Sequence, residues 1–222
     1  MHEFDSGSVL GPRVRKVREE RGLSVRELAR RVGCSASLIS QIERGISTPS
    51  AGTVYGLAVE LGASLDYLFD AMPAPGNGQL GASPPGMLRG VPPAGGLPET
   101  AAVPDGHGIV QRATTRRAID LASGVRWERL TPCSDQQVDF LEVIYEPGGH
   151  SIDSRRPVRH DGYEYGLIIS GALQAIVGFE HYELRAGDSI AFPATTPHHY
   201  WNKTGDKVHA ISVVVHSEPG LA

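Results

Sequence analysis

Ala36, Ser37, Gln41 and Arg44, with Ser40 at the margin, recur at intervals that put them on one face of a short helix. The chemistry of such a face is definite. Glutamine can bond an adenine edge in two places, and arginine can reach guanine or a phosphate in the major groove. The plain alternative is a solvated face. Local charge favours the first reading: between Gly11 and Ser50 there are nine basic residues (Arg13, Arg15, Lys16, Arg18, Arg21, Arg26, Arg30, Arg31, Arg44) against four acidic ones (Glu19, Glu20, Glu27, Glu43), in a chain of net charge −4. A basic local field within a mildly acidic protein is the electrostatic footprint of one nucleic-acid-binding module.

Two elements must hold that face outward. Leu28, Ala29 and Val32 make an apolar stripe on a first segment, and Ile39 and Ile42 make one on a second. Stripes that short cannot be buried alone, so the two segments need each other and further helices. Ser24 and Ser35 are the expected N-caps, and Ser24 with Glu27 spells a capping box. Gly33 is expected to turn the chain sharply between the segments, and Gly45 to close the second in the same way.

The stretch from Val9 to Asp70, with its run SASLISQIERGISTPSAGTVYGLAVELGASLDYLF, resembles the helix-turn-helix domain of the Xre/Cro/phage-repressor family. That resemblance implies a five-helix, lambda-repressor-like unit over residues 9–72. It implies that Ala36, Ser37 and Gln41 meet base edges, with Ser35 and Ser40 in the same set, and that Arg26, Arg44 and the region from Ser47 to Ser50 meet phosphate. Val25 stands at the start of the second helix, where relatives often carry Gln.

At 222 residues the chain is long enough for two modest domains. No apolar run approaches the length of a membrane span, and MHEFDSGS has neither the basic start nor the apolar core of a secretion signal, so a cytoplasmic location is expected. Cys34 and Cys133 fall in different domains, which argues against a disulfide. Oxidation of Cys34 would disturb the reading helix, but a small half-buried filler is the simpler role. From Pro73 to His107, Pro and Gly supply sixteen of thirty-five residues, a composition that breaks helix and strand alike. As a flexible coil this linker would separate its ends by roughly 30 to 35 Å. Coupling between the domains then requires direct docking or a shared dimer, and a tightly docked helical lid is the less natural arrangement.

Beyond the linker the pattern becomes alternating and short: GIVQRATT, GVRWERL, VDFLEVIY, YEYGLIIS, ALQAIVG, HYELR, SIAF, HHYW and VHAISVVV read as strands separated by Gly and Pro turns. Residues 108–217 resemble the cupin family. Gly187, Pro193, His198 and Asn202 follow its second motif, with Thr195 in place of Gly; His160, Glu164 and Gly171 follow its first, with Val158 in place of the leading His. The expected fold class is therefore multidomain, an α-helical unit joined by the linker to an all-β double-stranded β-helix, or jelly roll.

The cupin resemblance implies that His160, Glu164 and His198 point inward. Two imidazoles and a carboxylate form the facial set that holds Fe(II), and Zn, Mn or Ni could use it as well; hydrogen bonding to a small molecule without metal is the alternative. Strand parity adds Gly166, Ile168 and Tyr200 to the pocket and sends His199, Tyr163, Tyr165 and Trp201 outward. His150 is expected in solvent, and His181 and His209 without obvious partners. The implied function is a transcriptional regulator that reads double-stranded DNA as a homodimer and senses a small effector in the barrel. The alternative is a mononuclear iron enzyme resembling hydroxypropylphosphonic acid epoxidase, in which a lysine of the helical unit reaches the substrate; here that unit carries a single lysine, Lys16. No Gly-rich phosphate loop followed by Lys is present, and no Ser-His-Asp order can be defended.

Overall fold

The computed structural model describes residues 7–63, 65–69, 109–133, 135, 137–152 and 157–216. The linker, residues 73–107, lies outside them. Among the described residues, five helices form the first unit: α1 (Gly7–Glu20), α2 (Val25–Val32), α3 (Ala36–Glu43), α4 (Ala51–Leu61) and α5 (Leu65–Phe69). Three of the starts have a local cause. The side chains of Ser24, Ser35 and Ser50 accept the backbone N–H groups of Glu27, Leu38 and Thr53, satisfying donors that a helix start leaves free. Gly33, at φ 80°, takes the left-handed conformation and sends its N–H back to the Ala29 carbonyl. The capping box is half built, because the Glu27 carboxylate is drawn away to Arg30 and Arg31. Gly45, at φ 67°, closes α3 by a left-handed turn as expected, its N–H returning to the Ile42 carbonyl and the Ile46 N–H to the Gln41 carbonyl. Leu28, Ala29, Ile39, Ile42, Val54, Leu57 and Leu61 close the core of this unit.

The second unit has nine strands among the described residues: β1 (Ala118–Leu121), β2 (Val125–Arg129), β3 (Val138–Tyr145), β4 (Tyr163–Ser170), β5 (Ala172–Val177), β6 (Glu180–Arg185), β7 (Ser189–Pro193), β8 (His198–Trp201) and β9 (Val208–Val215). They form a six-stranded sheet in the order β1-β2-β3-β9-β4-β7 and a three-stranded sheet in the order β6-β5-β8, with antiparallel pairing between neighbours. Alternation fills the space between the sheets. Leu141, Val143 and Tyr145 of β3 and Val214, Ala210 and Val208 of β9 turn inward with Trp127, Leu173 and Ala175.

Two strand readings need correction. GIVQRATT is no strand; Ala113–Thr115 forms a 3-10 turn, its Thr115 N–H returning to the Arg112 carbonyl. The first strand is instead Ala118–Leu121, whose four residues are too few to show a period and are made a strand by pairing with β2.

The two units are in contact. The Gly52 N–H at the start of α4 donates to the Ser151 carbonyl at 2.9 Å, and the Ala122 N–H donates to the Pro49 carbonyl at 3.0 Å. A Cβ at Gly52 would lie 3.1 Å from a Val158 methyl, so a larger residue here would press α4 away from the barrel. The expectation against a docked helical lid is thus overturned: a linker's composition limits only what the linker transmits, and these contacts bypass it.

Candidate nucleic-acid interface and barrel site

On α3 the buried face consists of Ile39 and Ile42, while Ser37 and Arg44 stand exposed and Ser40 and Gln41 half-exposed. Ala36 is partly packed on the core, Ser35 is exposed beside its capping bond, and Ser47 is half-buried. Arg26 is exposed on α2, and the Arg44 Nε donates to the Ser40 carbonyl at 3.0 Å. The basic field is thinner than a residue count implies. Arg15 pairs with Glu19, and Arg30 and Arg31 pair with Glu27. Arg18 is buried and grips Glu43 through two bonds, Nε to Oε1 and Nη2 to Oε2, and its Nη1 donates to the Leu23 carbonyl. This pair ties α1 to the end of α3. Neither charge could be recognised as internal from sequence, because the partners lie 25 residues apart.

In the barrel, Glu164 projects from β4 of the larger sheet and His198 from β8 of the smaller, while His160 lies in the segment leading into β4. Val158 fastens that segment. Its backbone exchanges two 2.9 Å hydrogen bonds with His198, so the residue standing where the motif's first His would be serves as a buried strut against β8 and α4. The ligand atoms of His160, Glu164 and His198 lie within 4.8 Å of one another, and all three residues are buried. His160 Nδ1 bonds the Asp161 carbonyl at 3.1 Å, and His198 Nδ1 bonds the Thr196 carbonyl at 2.9 Å. A carbonyl only accepts, so Nδ1 carries the proton and Nε2 presents its lone pair.

Both Nε2 atoms stand 3.4 Å from Glu164 Oε2, and His160 Nε2 is buried without a hydrogen-bond partner. Three acceptors facing one another at that spacing repel unless a cation or proton sits among them. The donor set therefore fits a divalent metal. Tyr200 donates its hydroxyl to Glu164 Oε1 at 3.0 Å, orienting the carboxylate. Burial by itself would raise the Glu164 carboxyl, but a proton among the three, shared with His160 or carried as imidazolium charge by His160 or His198, together with the Tyr200 hydroxyl outweighs it and holds the group below its ordinary value. Burial pushes the His198 imidazole down, against the pull of Glu164.

Gly166, Ile168 and Tyr200 line the same cavity, with Trp127, Val143, Leu173 and Ile190. Its free volume is about 50 Å³. One wall has no counterpart in the sequence reading. Tyr55, from α4 of the helical unit, stacks on His160 at 4.4 Å with the rings 6° from parallel, and meets Trp127 edge-on at 5.1 Å. Burial, then the charges of Glu164 and Asp139, raise its phenol well above the ordinary value, so it stays neutral. A tyrosine among the apolar positions of α4 gives no local signal beyond helix core.

The outward residues also find places. His199 stacks on Trp201 on the far side of β8 from the cavity, and His150 is half-buried beside Trp201 through a strand bridge rather than free in solvent. His209 has a partner after all, bonding Glu142 at 2.8 Å, because β3 and β9 are sheet neighbours although the two residues are 67 positions apart.

Comparison with known proteins agrees with both halves. Residues 14–68 match the HTH_3 helix-turn-helix family and residues 141–214 match the Cupin_2 domain family. The chain is similar to the HTH-type transcriptional regulator PuuR of Escherichia coli, with 23% identity over 94% of this chain and 95% of the relative. It is similar also to the uncharacterized HTH-type transcriptional regulator y4dJ of Sinorhizobium fredii, with 37% identity over 28% of this chain and 79% of the relative. Among solved structures, an HTH_3 family transcriptional regulator from Vibrio cholerae superposes with a TM-score of 0.61 at 22% identity, over 97% of this chain and 98% of that one. Among the described residues, no helix is long and apolar enough to cross a membrane. These likenesses place the chain with regulators rather than with the iron epoxidase of the alternative reading, and the chain belongs to the helix-turn-helix transcriptional regulators of the Xre type that carry a C-terminal cupin domain.

Proposed function

We propose that this regulator, working in the cytoplasm, reads an operator as a homodimer and that a small molecule in the cupin cavity tunes its grip. The observation that carries the reading is α3 itself, a helix anchored by Ile39 and Ile42 whose other face offers Ser37, Gln41 and Arg44. Gln41 and Ser37 are assigned to base edges with Ala36, Ser35 and Ser40 beside them, and Arg26, Arg44 and Ser47 to phosphates. Two such helices held one helical turn apart raise each other's effective concentration on paired half-sites.

The dimer is assigned to the outer face of the larger sheet. There Phe140, Tyr163, Tyr165, Leu167, Ile169 and Val215 are all exposed, and the pairing Phe140–Val213–Tyr165 makes them contiguous. Arg116, Glu128, Glu142 and His209 border that patch with a charged network, the polar rim around an apolar centre that stable interfaces have.

A divalent metal would be held by His160, Glu164 and His198, and would supply a Lewis-acidic centre with open positions for an effector's oxygen atoms. Gly166, Ile168 and Tyr200 would shape the rest of the pocket. The test is fluorescence anisotropy on duplexes recovered by genome-wide mapping of bound DNA, with sedimentation in parallel. Nanomolar-range binding by a dimer and monomeric behaviour of Tyr165→Glu are expected; a protein that ignores every duplex at low ionic strength ends the proposal.

A further inference from the structure

The barrel cavity already holds an aromatic ring, and that ring belongs to the DNA-binding unit. Tyr55 fills a slot with a flat face, His160, at 4.4 Å and an edge partner, Trp127, at 5.1 Å. This is the pair of geometries in which aromatic rings attract one another beyond simple area burial. Among the described residues lining the cavity there is no Lys or Arg, so an anionic ligand would depend on a bound metal or an imidazole for its counter-charge.

Size narrows the choice further. The remaining 50 Å³ holds about three or four waters. Anything as large as a phenol must therefore take the place of Tyr55, not lie beside it. Withdrawing Tyr55 means withdrawing α4, which is seated through the Gly52 N–H on Ser151 and by the close approach of Gly52 to Val158.

We propose that Tyr55 is an internal stand-in for the effector: the slot takes a small, hydroxylated aromatic molecule, which binds by displacing this side chain and so releases the DNA-binding unit from the barrel. The inference rests on the reading of the barrel as an effector site and names the effector's chemistry. It also names the route of coupling. The ligand and α4 compete for one face of His160, and a ligand shifts the docked and undocked forms only through such a difference in affinity.

Full-length protein, phenol as probe and cyclohexanol as the non-aromatic control of similar size decide the matter. Saturating phenol should speed amide hydrogen exchange across residues 49–58 of the wild type by about tenfold or more, and cyclohexanol should not. Gly52→Leu, which pushes α4 off Val158 and alters neither His160 nor Trp127, should bind phenol at least about tenfold more tightly by calorimetry, because the wild type's apparent Kd is raised by its docked fraction. Equal affinity in the two proteins, phenol binding that leaves α4 exchange unchanged, or equal binding of cyclohexanol each overturns the proposal. So does a lack of phenol binding by both proteins; in that case a barrel melting shift with another class of compound would leave the sensing role intact. Should Gly52→Leu fail to fold, amide exchange in the wild type with and without phenol is decisive by itself.

Discussion

The exposed face of α3 and the His160/Glu164/His198 cluster are built on opposite principles. The face spans Ser35 to Arg44, one stretch of chain shaped by its own caps and periodicity. The cluster draws one residue from each of two sheets and a third from a connecting segment, and its wall includes a residue of the other unit, Tyr55. A site made from one helix can be read locally but is only as steady as the scaffold behind it. A site closed by two units is hidden from local reading, yet it brings them into direct contact.

Four experiments can break or sharpen this contrast. The largest effect is expected at Arg18. Arg18→Met leaves Glu43 buried and unpaired and should cost the helical unit about 3 to 5 kcal/mol in urea unfolding, with the barrel transition unmoved. A loss under about 1 kcal/mol would mean that the reading helix is steadied by local forces alone. Next comes Glu164→Gln, which removes the only carboxylate of the cluster; Co(II) affinity followed by visible absorption should fall by about 100-fold or more. An unchanged affinity would take the metal away from these residues.

Smaller effects should separate readout from anchoring. Gln41→Ala should cost about 1 to 3 kcal/mol of operator discrimination at one base position. Arg44→Ala should weaken all sequences alike and lower the salt slope by about one. If both variants act uniformly across sequences, α3 is not reading bases.

The smallest expected effect concerns pH. The hydrogen bond to Asp139 raises the His216 imidazole above its ordinary value, with burial opposing. Because the folded value exceeds the unfolded one near 6.5, the stabilisation is complete below that pH and fades as pH rises through the folded value. The stability gap between wild type and His216→Asn should therefore be wide at acidic pH and nearly closed at alkaline pH. A gap of the same size at both ends would assign the residue's contribution to packing.

Much of the helical unit was legible because its determinants are short-range. Ser24, Ser35, Gly33 and the Ile39/Ile42 stripe each act within about one turn, and each appears where the pattern puts it. Once the cupin resemblance turns Glu164 and His198 inward, Gly166, Ile168 and Tyr200 were legible for a related reason: strand alternation is strict, and the register shift between β4 and β9 begins only after Ile168. Failures occurred where a residue's fate depends on a distant partner or a competing neighbour. Glu27 prefers Arg30 and Arg31 to its capping role, Ala118–Leu121 becomes a strand only beside β2, and His209 gains Glu142 only once β9 lies against β3.

Periodicity, caps and turn residues thus suffice to write down a capped helix with one polar face and an alternating barrel, since each depends on backbone geometry that repeats over a few residues; the inward turn of His160, Glu164 and His198 was implied by the cupin resemblance. The burial of the Arg18–Glu43 pair, the strut at Val158 and the insertion of Tyr55 beside His160 follow from no local rule. They arise when surfaces far apart in the chain exclude water together, and that cooperative step fixes which polar groups lose their solvent and which new partners they must find.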